Sequence, residues 1–406
     1  MYDILKGLRI IEATSFVASP SAGLYLAQFG AEVIRVDHVS GGPDYNRWPK
    51  AENGSSFYWE GLNKAKKSVA LNLKTTEGRE LLGRLVASDG DDGGILLTNF
   101  PVGGFLSYEN MRALRDDIIV ARVMGQANGG PAVDYTVNCA LGYPYMTGPP
   151  SLGDKPVNHV LPAWDLLAGA YTAFTILAAE RHRRDTGKGC EVRIPLSDIG
   201  ITTLANLGQI AEVLNTGENR ARHGNELYGA FGKDFMTKDG RRLIVMAISP
   251  RQWKGLVEVL DIHAEIAGIE AEKGVTFDYD EGVRYEHSDK LYPLVAEKIS
   301  HWTFDKLSVA LDKVGGCWGE YQTVQDAAKS PVLVENNPIF ERMKNPSGAT
   351  YPTSGAAATI SGETRGKPRV APVLGDNTHE VLSKYLNIDK DELSSLSKSG
   401  IIGPKH

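Results

Sequence analysis

Short apolar runs alternate with capped, amphipathic segments through the first 125 residues, and this alternation constrains the fold more than any other feature of the chain. LRIIEAT (8–14) is β-branched and reads as a buried strand. SPSAGLYLAQFG (19–30) follows. Ser19 before Pro20 has the form of an N-cap with proline in the first turn, and Gly30 that of a helix stop. AEVIRVD (31–37) is a second strand. A strand, a helix and a strand in so short a span make a βαβ unit, with parallel pairing and a right-handed crossover. The pattern returns in KSVALNL (67–73), TTEGRELLGRLVAS (75–88) with its threonine cap, GGILLTNF (93–100), MRALRDD (111–117) and IIVARVMG (118–125). The expected fold class is therefore α/β on a mostly parallel sheet. Ligands of such sheets lie beyond the carboxyl ends of the strands. The loops at 15–20, 37–48, 74–76 and 99–104 should then face one crevice.

The style changes after Asn215. The stretch from Gly224 to Trp253 reads as strand, KDG hairpin turn and strand, the opening of a smaller α+β domain. The expected organisation is a large domain over 1–215, a small domain over 216–320 and a tail, 321–406, that returns to the large one. At 406 residues the chain exceeds one ordinary core, which fits several domains.

Composition excludes several function classes. A net charge of −6 argues against nucleic acid or an anionic membrane as the main partner. Cys139, Cys190 and Cys317 are far apart and show no CxxC or Cys/His ligand spacing, so neither a disulfide framework nor a metal site is expected. A reducing, cytoplasmic setting follows, and the N-terminus has no secretory leader pattern. The apolar run after Asp165 ends at Glu180, short of the ~20 residues that span a bilayer.

Few chemical motifs stand out. The first βα turn, TSFVASPSAG, lacks G-x-G-x-x-G, which disfavours a dinucleotide even though Asp37 ends the second strand. Lys64, Lys66, Lys67 and Lys74 surround one strand and suit either phosphate binding or a solvated sheet edge. No G-x-S-x-G elbow and no H-E-x-x-H occurs. Asp165 heads the apolar segment PAWDLLAGAYTAFTILAAERHRR (162–184). It fits two roles: an acid that satisfies the free N–H groups of a helix start, or a nucleophile for a reactive acyl group.

Together, LKGLRIIEATSFVASP, GAEVIRVD, NKAKKSVALNLKTTEGRELLGRLV, LLTNF, AWDLLAGAYTAFTILAAERHRRDTGKGCEVRIPLSDI and RVAPVLGDNTHEVL resemble, in order, the family III CoA transferases. The resemblance implies a Rossmann-like large domain built from both ends of the chain, an inserted small domain and an interlocked homodimer. It implies that Asp165 is the catalytic carboxylate, attacking an acyl-CoA thioester to form a mixed anhydride and then an aspartyl-CoA thioester. Coenzyme A enters as part of the substrate, with no prosthetic group. Val17, Ala18, His38, Leu71, Lys74, Asn99 and Phe100 match the family's CoA contacts. His38 and Ser107 stand where members often carry arginine, so Lys64, Lys66 or Lys67 could hold phosphate instead. Racemases of the same fold use a histidine where Val133 stands, before Asp134, which disfavours that activity. Within the family, VDYTVNCALGYPYMTGPPS and PAWDLLAGAY look most like the mesaconyl-CoA (2-methylfumaryl-CoA) isomerases, which move CoA between the two carboxyls of one dicarboxylate. An intermolecular dicarboxylate transferase, such as a succinyl-CoA-dependent one, is the alternative. Arg47, Tyr135, Asn138 and Tyr143 are candidate pocket contacts.

Overall fold

The computed structural model describes residues 1–403. The chain divides into two compact units. The first holds Met1–Leu141, His159–Thr216 and the chain from Pro331 on; the second holds Gly142–Asn158 and Gly217–Ser330.

In the first unit β1 (Arg9–Ala13), α1 (Ala18–Gln28), β2 (Glu32–His38), α2 (Phe57–Leu62), β3 (Lys67–Leu71), α3 (Thr76–Ala87), β4 (Ile95–Thr98), α4 (Tyr108–Leu114), β5 (Ile119–Met124) and α5 (Asp134–Ala140) follow one another. The short α6 (Tyr143–Met146) belongs to the second unit. The chain then continues through the long α7 (Ala163–Thr186), β6 (Cys190–Pro195), α8 (Leu196–Asn206) and α9 (Gln209–Thr216).

The six strands form one sheet in the order β3-β2-β1-β4-β5-β6. Each neighbouring pair is parallel, with Ile10 opposite Val33, Ile11 opposite Leu96 and Ala121 opposite Val192. Both faces are buried, and strand alternation sorts the residues between them. Ile11, Ile34, Val69, Leu96 and Val120 join one core with Leu81, Leu82 and Leu85 of α3. Ile10, Val33, Leu97 and Ile119 join the other with Leu26 of α1 and Ile176 of α7. Each such side chain contributes about 1.5–3 kcal/mol on full burial. The strand order reverses between β1 and β4, and this is where open α/β sheets place their ligands.

One expected local feature differs. Helix α1 begins at Ala18, so Ser19 is inside it and Val17 is the N-cap, without a side-chain hydrogen bond. The Ser19 hydroxyl is buried with no partner among the described residues. The proline that suggested the cap lies in the first turn, where its missing N–H costs nothing. Gly30 does sit past the helix end, at φ +106°, with a Tyr2 carbonyl in the space a Cβ would take.

In the second unit β7 (Phe231–Met236), β8 (Arg242–Ala247) and β9 (Cys317–Glu320) form an antiparallel sheet. Helices α10 (Pro250–Leu260), α11 (His263–Lys273), α12 (Glu281–Glu286), α13 (Ser288–Ile299) and α14 (Phe304–Val314) come before β9, and α15 (Val324–Ala328) after it. Phe231, Trp253, Phe277 and Leu291 centre its own core. The chain then returns to the first unit as the hairpin β10 (Phe340–Lys344) and β11 (Thr350–Ser354), then α16 (Thr378–Leu386) and α17 (Lys390–Lys398). This return covers the β3 edge: Asn377 donates to Ser68 O, Thr378 Oγ1 accepts from Ala70 N, and Gly403 donates to Ala70 O. A covered edge cannot recruit a stray strand.

Candidate active site

The site is built at the head of α7. The helix starts at Ala163, so Asp165 lies in its first turn. A carboxylate there could satisfy the free N–H groups, but another residue does so. Asp134, at the start of α5 and 2% exposed, accepts from Trp164 N at 2.7 Å and from Asp165 N at 3.2 Å through the same oxygen. Its other oxygen lies 2.7 Å from His159 Nε2. Trp164 is fixed as well, its indole N–H donating to Asn138 Oδ1 at 3.2 Å. The Asp165 carboxylate is thereby released from capping and accepts no hydrogen bond from the described residues. Burial first, then the Asp134 charge, pushes its pKa up to about 6, while Arg47 opposes the shift.

Helix α1 brings the first βα loop to the same place. Gly169 lies one turn beyond Asp165 on the same face. A Cβ there would run into Ser21 Oγ and come within 2.7 Å of Ala18 O, so glycine is what lets the two helices close. The loop before α1 carries Phe16 at φ +70°, a left-handed conformation uncommon for a bulky residue. Asp44 holds it there, accepting the Phe16 N–H at 2.7 Å. The Arg47 guanidinium rests 5.2 Å from the Phe16 ring centre and 5.1 Å from that of Tyr58. The Tyr58 hydroxyl is buried and finds no partner among the described residues. Burial, with Asp44 and Asp165 nearby, raises its pKa.

The residues matched to CoA contacts lie along the carboxyl ends of the strands. Val17 and Ala18 open α1 and are mostly buried. His38 ends β2, its Nδ1 2.7 Å from Ser40 Oγ. Leu71 ends β3 with its side chain wholly in the core, so only its backbone faces the strand end; Lys74 follows in an exposed turn. Asn99, after β4, donates to Ser15 O at 3.0 Å and so ties the β4 loop to the β1 loop across the switch point. Asn99 and Phe100 also wall a cavity of about 840 Å³ with Gly125, Gly130, Ala132 and Thr136.

Other expected residues serve elsewhere. Lys64, Lys66 and Lys67 lie at the amino end of β3, away from the crevice. Lys66 is buried on Glu12, Lys67 pairs with Glu32 and Glu380, and Lys64 donates to Ser354 Oγ. Ser107 caps α4. Tyr135 donates weakly to Val160 O at 3.4 Å, and Tyr143 belongs to the second unit. Sequence reasoning missed four positions: Asp134 as the cap of α7, His159, Asp44 and Arg122. The last is buried and donates to Phe100 O, Pro101 O and Leu106 O, pinning the loop after β4. An aspartate opening a helix was the one visible signal, and it pointed to α5's own start. Among the described residues no group of three His, Cys, Asp or Glu side chains could hold a metal ion, and no helix is long and apolar enough to cross a membrane.

A doubly wound sheet, a carboxylate left without a hydrogen bond among the described residues and a loop-lined crevice at the switch point agree with the family that the motifs indicate. The chain belongs to CoA-transferase family III, whose model matches residues 5–378. It is 40% identical over 407 residues to the 2-methylfumaryl-CoA isomerase of Chloroflexus aurantiacus, covering 100% of this chain and 99% of that protein. It is 27% identical to the succinyl-CoA–D-citramalate CoA-transferase of the same organism, covering 98% of each. Among solved structures, a CAIB/BAIF family protein from Brucella suis superposes with a TM-score of 0.75 at 25% identity, over 95% of this chain and 100% of that one.

Proposed function

We propose that this enzyme is an intramolecular CoA transferase that moves CoA from one carboxyl of a short dicarboxylic acyl-CoA to the other, with mesaconyl-CoA (2-methylfumaryl-CoA) as substrate. One observation carries the reading: Asp165 is a half-buried carboxylate with no hydrogen-bond or ion-pair partner among the described residues, and Asp134 has taken over the helix start. The full-length likeness to the Chloroflexus isomerase supports the choice of acyl group.

The chemistry has four balanced steps. Asp165 Oδ attacks the thioester carbonyl, the C–S bond breaks, and a mixed anhydride and CoA thiolate result. The thiolate attacks the aspartyl carbonyl of the anhydride, giving an aspartyl-CoA thioester and a free dicarboxylate. The second carboxylate of that dicarboxylate then attacks the aspartyl carbonyl and expels the thiolate. Finally the thiolate attacks the substrate-side carbonyl of the new anhydride, which forms the isomeric thioester and restores Asp165. A raised pKa makes this carboxylate a better nucleophile while leaving it ionised at neutral pH.

Val17, Ala18, His38, Lys74, Asn99 and Phe100, with the backbone at Leu71, are the proposed CoA contacts, strung along one sheet edge. A homodimer of interlocked chains in the cytoplasm completes the reading. It is supported by an apolar stripe on α7, where Leu167, Tyr171 and Phe174 recur at helical spacing and stay 41%, 49% and 64% exposed in the single chain. Light scattering should give twice the 44.1 kDa of one chain. The functional test is to run mesaconyl-CoA isomerisation with labelled free mesaconate in solution. The isomer should form with little label in the thioester, whereas rapid incorporation would make the enzyme an intermolecular transferase.

A further inference from the structure

A dicarboxylic acyl-CoA brings one free carboxylate into a site that already holds Asp134 and Asp165. Bringing anions together away from bulk water is unfavourable unless a cation meets them. Most nearby cations are committed. Arg35 binds Glu12, Asp37 and Asp44, and Lys66 binds Glu12. His159 is held on Asp134.

Arg47 differs. Its guanidinium makes no ion pair and no hydrogen bond among the described residues, yet it is not loose. Its backbone N–H donates to Asp44 O at 3.2 Å, and its carbonyl accepts from Ser56 Oγ at 2.6 Å. The rings of Phe16 and Tyr58 flank the guanidinium itself. Aromatic contact leaves the edge N–H groups of a guanidinium open, and two of them match a carboxylate. Phe16 precedes the start of α1, α1 closes on α7 at Gly169, and Asp165 is one turn from Gly169 on that face. The clamp and the nucleophile therefore look into the same space.

We propose that Arg47 receives the free carboxylate of the dicarboxylic acyl-CoA while Asp165 attacks the thioester carbonyl, and thereby selects dicarboxylates and retains the acyl fragment during transfer. This rests on the aspartyl mechanism proposed above. In substrate and in product one carboxylate is free, and it sits on Arg47. Once CoA has passed to Asp165 both are free. One is then held by Arg47 and the other faces the aspartyl thioester, so turning the dicarboxylate end for end delivers the isomer.

The test compares two probes that differ in that one group. Mesaconyl-CoA and tiglyl-CoA, which carries a methyl in place of the free carboxylate, are each given to wild-type enzyme, Arg47→Gln and Arg47→Lys in single turnover. Adduct formation at Asp165 is trapped with hydroxylamine and timed by mass spectrometry. The wild type should prefer mesaconyl-CoA. In Arg47→Gln the preference should fall about 30-fold or more, the size of effect expected when a charged group loses its partner. Arg47→Lys should keep part of it. Because the ratio is read within one variant, a general loss of competence cancels. An unchanged ratio, or equal loss with both probes, overturns the role of Arg47 while leaving the aspartyl mechanism intact. Absence of any Asp165 adduct in the wild type overturns that mechanism and this inference together.

Discussion

Two groups of carboxylates lie close together in the first unit, and their charge balance is opposite. Glu12, Asp37 and Asp44 surround Arg35, which reaches them at 3.0–3.1 Å, and Lys66 adds a contact to Glu12 at 2.9 Å. The three anions hold Arg35 charged beyond even its ordinary range, and Lys66, pushed down to about 8 by burial, is kept from falling further by Glu12. Every carboxylate in that group has a cation. Asp134 and Asp165 form the second group, where the helix start and His159 serve only Asp134. A satisfied cluster builds a wall, whereas an unsatisfied carboxylate beside a crevice is available for chemistry. The two are coupled, because Asp44 belongs to the first group and also fixes the Phe16 loop of the second.

The comparison predicts that substitutions in the second group act on rate and those in the first on stability. Asp165→Ala should give the largest effect, a loss of at least about 10⁴-fold in isomerisation, since a covalent route has no substitute nucleophile. Its thermal midpoint should not fall. If this variant turns over within tenfold of wild type, the unpaired carboxylate is not the working group. Next in size is Arg35→Met, which leaves three buried carboxylates without their main cation. A cost of about 3–5 kcal/mol is expected from the urea midpoint. A change below about 1 kcal/mol would mean that the cluster is not what holds the loop after β2.

How far the molecule was legible follows from the range over which each signal acts. Strand-helix alternation reports on neighbours in sequence, so β1 to β5 were found within a residue or two. A proline near a helix start has more than one placement, so the Ser19 cap was misplaced by two residues. The lysines around β3 suited phosphate binding or a solvated edge equally by pattern, because spacing does not say which end of a parallel strand faces the crevice. The capping of α7 by Asp134 spans 30 residues, and the Arg35–Glu12 pair spans 23. No local window holds either. Asp165 could be singled out as an acid at a helix head, but its freedom to react depends on a residue in another helix.

Asp134→Asn sharpens the comparison from the electrostatic side. The substitution keeps an acceptor for the head of α7 and removes the charge that helps to raise Asp165. The acidic limb of the single-turnover acylation rate should have its midpoint near pH 6 in the wild type, because on the proposed route only ionised Asp165 attacks. In the variant it should move down by on the order of 1 pH unit, about 1.4 kcal/mol. A limb that stays put would assign the raised pKa to burial alone.

The smallest effect runs the other way and joins the two groups in one measurement. Asp165 has an ordinary value of 3.8 when unfolded and about 6 when folded. Between roughly pH 4 and 6 the folded chain keeps the proton that the unfolded chain releases, so stability falls as pH rises through that window and stays lower above it. Asp165→Asn cannot ionise and escapes the penalty. With allowance for the half-exposed setting, it should be more stable than wild type by on the order of 1 kcal/mol at pH 8, and the gain should vanish by pH 4. Urea midpoints at the two pH values decide it. A gain of equal size at both would reflect packing of the amide, and a loss at pH 8 would mean that Asp165 has a structural partner after all. A stabilised, inactive variant would show that this carboxylate is kept for chemistry at a cost to the fold, unlike the paired carboxylates around Arg35.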